Sequence, residues 1–87
     1  MQVRIPLPPE VAVNAGLEPA TDVVQISRAH LEALRPGSDD FGDDPVEIFT
    51  VPSGSAFLAY RPGKKVWELL CYEGPGPEHR NYWSQVS

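Results

Sequence analysis

The chain has 87 residues, with seven Lys or Arg against twelve Asp or Glu, so its formal net charge is −5 at pH 7. This length indicates one domain, residues 1–87, with a small core. The single cysteine excludes an internal disulfide, and the acidic charge disfavours nucleic acid as a partner. No apolar run approaches the length of a membrane helix, and Met1 to Arg4 lead into proline rather than into a signal peptide. We therefore expect a cytoplasmic protein that does not enter a membrane.

Residues 1–35 predict alternating short strands and helices. Val3, Ile5 and Leu7 alternate with polar residues or proline, which is typical of a half-buried strand. Pro6 lacks an N–H group and confines that strand to a sheet edge. Pro9 then suits the first position of a helix that ends near Gly16.

A second strand is predicted over residues 22–27, followed by a helix over residues 27–35 that Ser27 caps. Leu31 and Leu34 would face the core from this helix. The alternative is one longer helix from residue 22 to residue 35.

Residues 36–45, which we call the acidic loop, contain glycine, serine and four aspartates, and they predict an irregular connection. Three runs rich in β-branched, aromatic and aliphatic residues follow within residues 46–72, separated by proline-glycine turns. The tail, residues 73–87, is predicted to be extended or irregular. The fold class is therefore α+β, with a short N-terminal strand and one or two short helices packed on a three-stranded antiparallel β-meander.

The segment from Arg4 to Ile26 resembles the swapped-hairpin repeat of the SpoVT/AbrB and MazE antitoxin family, in which a strand, a short helix, a glycine-leucine exit and a second strand follow one another. The matching positions are Arg4, Ile5, Leu7, Pro8, Glu10, Val11, Gly16, Leu17, Val24 and Ile26. The resemblance covers about a quarter of the chain. It implies a DNA-binding dimer or a toxin-neutralising antitoxin, with Arg4 on the nucleic-acid side.

Five acidic residues lie within nine positions, and no basic residue lies between Arg35 and Arg61. They are Asp39, Asp40, Asp43, Asp44 and Glu47. Such a run either forms a solvated loop or presents a docking surface to a basic partner, since concentrated charge raises the rate of encounter with opposite charge. Calcium is a weaker alternative, because the spacing of an EF-hand loop is missing. We expect no metal and no cofactor.

Aromatic residues mark the last strands and the tail. On an alternating strand Trp67 and Cys71 share one face, and Glu68 on the other face indicates that the Trp67 face is core. Tyr82 and Trp83 either fold back on the sheet or form an exposed pair that anchors an interface. A smaller basic cluster, Arg61, Lys64 and Lys65, lies at a turn between two predicted strands, where it is expected to aid solubility.

The sequence contains no motif of a catalytic nucleophile, a phosphate-binding loop or a zinc protease. Cys71 is expected to be buried and inert, and His30 and His79 lie far apart in sequence.

The function predicted is therefore a non-enzymatic protein-binding modulator, such as an antitoxin, inhibitor, adaptor or phage-type inhibitor. Its partner-binding residues would be the five acids with Tyr82 and Trp83, and the partner would carry a basic surface. The alternatives are a DNA-binding regulator and a structural subunit of a larger assembly. The oligomeric state is left open, with a homodimer as one option.

Overall fold

The structure, a computed structural model, describes residues 3–76 and 80–87. Within these residues, six antiparallel strands form one sheet whose spatial order follows the chain. The strands are β1 (Arg4–Pro6), β2 (Asp22–Ile26), β3 (Glu47–Thr50), β4 (Phe57–Arg61), β5 (Val66–Glu73) and β6 (Arg80–Gln85). Helix α1 (Pro9–Asn14) connects β1 to β2, and helix α2 (Arg28–Leu34) connects β2 to β3.

The α+β class, the positions of the first four elements and the three predicted strands of residues 46–72 are confirmed. The expected half-burial of the first strand is wrong, because all three residues of β1 are exposed. Pro6 ends β1 at the sheet edge, and Gly16 follows α1 with a φ of 77°. Ser27 caps α2 by accepting a hydrogen bond from the His30 N–H at 3.1 Å. The alternative single helix over residues 22–35 is wrong, because its first five residues form β2.

The sheet is twice as wide as predicted. Strand β2 pairs with β3, with Gln25 opposite Phe49, and so joins the N-terminal half of the chain to the meander. Val23 and Val24 point to opposite faces of β2 and both are buried. A strand that is apolar on both faces belongs in the interior of a covered sheet rather than beside it.

Residues 80–85 of the tail are extended, which is one of the two predicted forms, and they are not irregular: β6 pairs with β5 along its full length, from Gln85 opposite Glu68 to Arg80 opposite Glu73. The glycines and the first proline of the tail fall in the connection before β6, not in the strand itself. The glycines and this proline therefore indicate a turn, but they do not determine the secondary structure of residues 80–85, which form β6.

Both faces of the sheet are packed. The first face carries α1 and a buried cluster of Leu7, Val11, Ala12, Val23, Phe49, Val51, Leu58 and Val86. The second face carries α2 and a buried cluster of Leu31, Phe41, Ile48, Phe57 and Ala59. Trp67 packs on the first cluster and Leu70 on the second, so the face of Glu68 is covered as well.

Leu34 does not face the core, contrary to the prediction. Leu31 is fully buried and is the buried residue of α2, whereas Leu34 is 50% exposed. The helix has seven residues and therefore two turns, and a single residue fills its contact with the sheet.

No helix within residues 3–76 and 80–87 has the length and apolar character needed to cross a bilayer.

Replacing Leu31 with alanine is expected to lower the free energy of unfolding by about 2–5 kcal/mol, because it opens a cavity under α2. Leu34→Ala, the matched control on the same helix, is expected to change it by less than about 1 kcal/mol. Urea denaturation followed by circular dichroism measures both values. Equal losses of unfolding free energy in the two variants would contradict the burial of Leu31 and the exposure of Leu34.

Candidate functional site

The acidic loop is folded onto the second face of the sheet through Phe41. This side chain is 4% exposed and belongs to the same buried cluster as Leu31, Ile48 and Phe57. The ring of Trp83 lies beside it, with the two ring centroids 5.1 Å apart. The loop is irregular, as predicted, but it serves as a cover for the core.

Two guanidinium groups lie close to the Phe41 ring. The Cζ atom of Arg61 is 4.9 Å from the ring centroid and that of Arg28 is 5.6 Å away, within the range of cation–π attraction. Arg28 also donates hydrogen bonds to two loop carbonyls, those of Gly42 at 2.7 Å and of Asp44. Sequence reasoning assigned no role to Arg28 and placed Arg61 in a solubilising turn.

The N-terminal part of the loop is held by β6 and α2. Trp83 Nε1 donates to the Ser38 carbonyl at 2.9 Å, and Asn81 Nδ2 donates to the Pro36 carbonyl at 2.8 Å. From α2, the Glu32 carboxylate accepts hydrogen bonds from the N–H groups of Gly37 at 2.8 Å and Asp39 at 3.3 Å. The backbone of residues 36–39 is therefore tied to two separate elements of secondary structure. Two buried polar atoms, Ser38 Oγ and Asn81 Oδ1, have no hydrogen-bond partner among the described residues.

These hydrogen bonds lower the pKa of Glu32 below its ordinary value of 4.5. The bond from the Gly37 N–H is the largest cause, since it stabilises the charged carboxylate. Glu32 thus holds the loop most strongly when it is ionised.

The four aspartates of the loop differ in their partners. Asp39 lies 3.8 Å from Arg28, and Asp44 lies 3.3 Å from Arg61. Arg61 also pairs with Glu68, and this hydrogen bond is the main reason that the pKa of Arg61 is raised. Asp40 and Asp43 are exposed, and neither forms an ion pair within the described residues.

The structure does not bring all of the predicted partner-binding residues together. Asp39, Asp40, Asp43 and Asp44 lie in the loop, and Trp83 supports that loop from β6. Glu47 lies on the first face, because it pairs with Tyr60, whose ring packs 5.0 Å from that of Trp67.

Tyr82 and Trp83 also point to opposite faces of the sheet. Tyr82 lies opposite Cys71 on the first face and is 44% exposed, while Trp83 packs into the cluster of the second face. They therefore do not form one exposed aromatic pair.

The residues considered for catalysis do not converge. Cys71 is half-buried, and its Sγ lies 3.2 Å from Ser84 Oγ. His30 is on the exposed side of α2, and His79 lies outside the described residues. Among the residues that the structure describes, no group of three or more His, Cys, Asp or Glu side chains is placed to hold a metal ion.

A shallow cleft of about 380 Å³ opens beside the loop. Its lining residues are Asp44, Arg61, Lys64, Val66, Glu68 and Gln85. Two acids and two bases compensate each other there, so the cleft does not by itself select an anion or a cation.

The segment that resembles the swapped-hairpin family forms a strand, a helix and a strand, with Arg4 exposed on β1. Its two strands pair with each other, and β2 pairs further with β3 of the same chain. The chain matches no family model, no curated protein and no solved structure. Membership of that family therefore stays a prediction.

Replacing Phe41 with alanine is expected to release the acidic loop and to speed its cleavage by a protease specific for aspartate, because the anchor of the loop is lost. Val23→Ala is the matched control, since it weakens the core on the other face. Limited proteolysis followed by mass spectrometry compares the two, under conditions where circular dichroism shows both folded. Equally rapid loop cleavage in both variants would contradict the anchoring role of Phe41.

Replacing Glu32 with glutamine is expected to lower stability at neutral pH, with a loss that disappears in acid. The folded-state pKa lies below the unfolded value, so the carboxylate stabilises the protein above about pH 4.5 and stops doing so as the pH falls through the lowered pKa. Urea denaturation between pH 2 and pH 7 measures this difference. Glu18→Gln, whose carboxylate accepts no backbone hydrogen bond among the described residues, is the matched control for the loss of one carboxylate. A loss of stability in Glu32→Gln that stays constant across this pH range would contradict the assignment.

Proposed function

We propose that this protein is a non-enzymatic protein-binding modulator, of the kind represented by antitoxins, inhibitors and adaptors, whose partner docks a basic surface on the acidic loop. One observation carries the proposal. Asp40 and Asp43 are exposed and have no ion pair within the described residues, yet the loop that bears them is held by Phe41 and Trp83.

A fixed loop favours binding because less conformational entropy is lost when the partner docks. Ordering a flexible segment on binding costs affinity, and a preorganised segment avoids much of that cost. Phe41 is buried and Arg28 holds two loop carbonyls, so the loop backbone is ordered before any partner arrives.

The charges of the loop favour rapid encounter with a cationic surface. Asp40 and Asp43 form no ion pair within the described residues, although Asp40 lies near enough to Arg61 to help raise its pKa. The side chain of Asp44 is 67% exposed despite its pairing with Arg61. The net charge of −5 has the same sign as this patch, so the field of the whole chain reinforces it.

The proposed footprint is narrower than the residue set predicted from sequence. Asp39, Asp40, Asp43 and Asp44 form its surface, and Trp83 supports the loop from beneath. Glu47 and Tyr82 lie on the first face of the sheet and fall outside it.

Two alternatives remain predictions from the sequence. A DNA-binding regulator would use Arg4, which is exposed, but the net charge opposes binding to phosphate groups. A structural subunit would bury further surface against neighbouring chains.

Replacing both Asp40 and Asp43 with asparagine is expected to slow the association of the partner. The test captures proteins on the immobilised chain from an extract of cells that encode it, then measures association rates for the captured partner. Because the two carboxylates steer encounter, the association rate should fall about tenfold at low ionic strength and the difference should shrink in added salt.

The matched control is Glu10→Gln with Glu18→Gln, which removes the same charge from residues outside the acidic loop. This variant should bind as the wild type does. Equal losses in the two double variants would mean that only net charge matters, and an unchanged rate for Asp40→Asn with Asp43→Asn would refute the proposed docking surface.

A further inference from the structure

The two edges of the sheet are protected very differently. Strand β1 has three residues and ends at Pro6, which has no N–H to offer. Strand β6 has six residues, contains neither proline nor glycine, and within the described part of the chain pairs only with β5. Natural sheets usually block a long edge strand with proline, a bulge or several charges, because an open edge recruits another strand. Arg80 is the one charged residue of β6.

The backbone groups that β6 leaves open can be assigned from the hydrogen bond that follows the strand. The N–H of Val86 donates to the carbonyl of Trp67 at 2.9 Å, so Val86 faces β5. Backbone groups alternate between the two sides of an antiparallel strand, which places those of Tyr82 and Ser84 toward β5 as well. The N–H and C=O groups that point away from the sheet are those of Asn81, Trp83 and Gln85.

We propose that two copies of this chain pair through the outer edges of their β6 strands, antiparallel and about a two-fold axis at Trp83. In this register Asn81 of each copy lies opposite Gln85 of the other, and the two Trp83 residues lie opposite each other. Each copy contributes three outward N–H groups and three outward C=O groups, so every donor meets an acceptor. The two sheets become one continuous sheet.

A second copy satisfies this edge completely, because the two-fold register sets each outward donor opposite an outward acceptor. The three outward-facing residues are spaced evenly about Trp83, as a two-fold pairing requires. Arg80 falls opposite Val86 of the second copy, so the two arginines lie at opposite ends of the pair and do not repel each other closely.

The side chains of the first face support the same register. Tyr82 is 44% exposed in the single chain and falls opposite Ser84 of the second copy, where its ring would cover a small residue. On the second face Trp83 is already packed against Phe41 and fixed by Ser38, so the strand is held in place before pairing.

Sedimentation equilibrium from micromolar to millimolar concentration tests the pairing. The mass should rise from 9.6 kDa toward twice that value. Each copy carries a net charge of −5, so added salt should strengthen the dimer by screening repulsion, the opposite of its effect on the acidic loop. A mass that stays at 9.6 kDa throughout would overturn the proposal.

Gln85→Pro is the decisive variant, because it removes an N–H that points outward and leaves the pairing of β5 with β6 intact. Symmetry removes two hydrogen bonds per dimer, so the dissociation constant should rise about tenfold or more. Gln85→Ala keeps the N–H and should dimerise as the wild type does. Equal dimerisation of both variants would overturn the proposal.

Amide hydrogen exchange locates the contact independently of any variant. The N–H groups of Asn81, Trp83 and Gln85 should become protected as the concentration of wild-type protein rises. Those of Tyr82 and Ser84 should be protected at every concentration, since they bond to β5. A dimer that leaves the first three amides exchanging freely would place the interface elsewhere and refute pairing through β6.

Discussion

The packing of Phe41 against the second face of the sheet is the contact on which the rest of the structure depends. Both faces of the sheet are apolar, and each must be covered. The helices have six and seven residues and bury one or two side chains each, which is too little to cover a six-stranded sheet. The acidic loop completes the second layer, and it does so through one aromatic side chain that fills the space among α2, β3 and β4.

Burying the anchor of such a loop brings four aspartates close to a hydrophobic core, and this explains the position of two arginines. Arg28 and Arg61 lie near the Phe41 ring, and each also pairs with one aspartate of the loop. Arg61 is partly buried, and Glu68 beside it balances its charge, as a charge removed from water requires. Asp40 and Asp43 remain exposed, so the side chain that completes the core and the exposed charges come from the same ten residues.

Strand β6 links these features to the outer edge of the sheet. Its Asn81 and Trp83 side chains fix the backbone of the acidic loop, while the main-chain groups of the same two residues point away from β5. A substitution of Trp83 would therefore disturb both the loop and the edge. Asp40 and Asp43 and the N–H of Gln85 can be altered separately, and the two proposed interactions are expected to respond to salt in opposite directions.

The sequence by itself predicted β1, α1 and the three strands of residues 46–72, because each depends on local signals: alternation, proline at a helix start and glycine turns. For residues 22–35 it left open a strand followed by a helix or one longer helix, and the pairing of β2 with β1 and β3 decided between them. Tertiary structure alone decided that Phe41 is buried, that Leu34 is exposed, that Tyr82 and Trp83 point apart, and that the tail forms β6. The bond between Trp83 and Ser38 joins residues 45 positions apart, and no local pattern encodes such a contact. The aspartates could be recognised as a candidate site from their spacing, but which of them are neutralised depended on Arg28 and Arg61, whose positions the folded sheet determines.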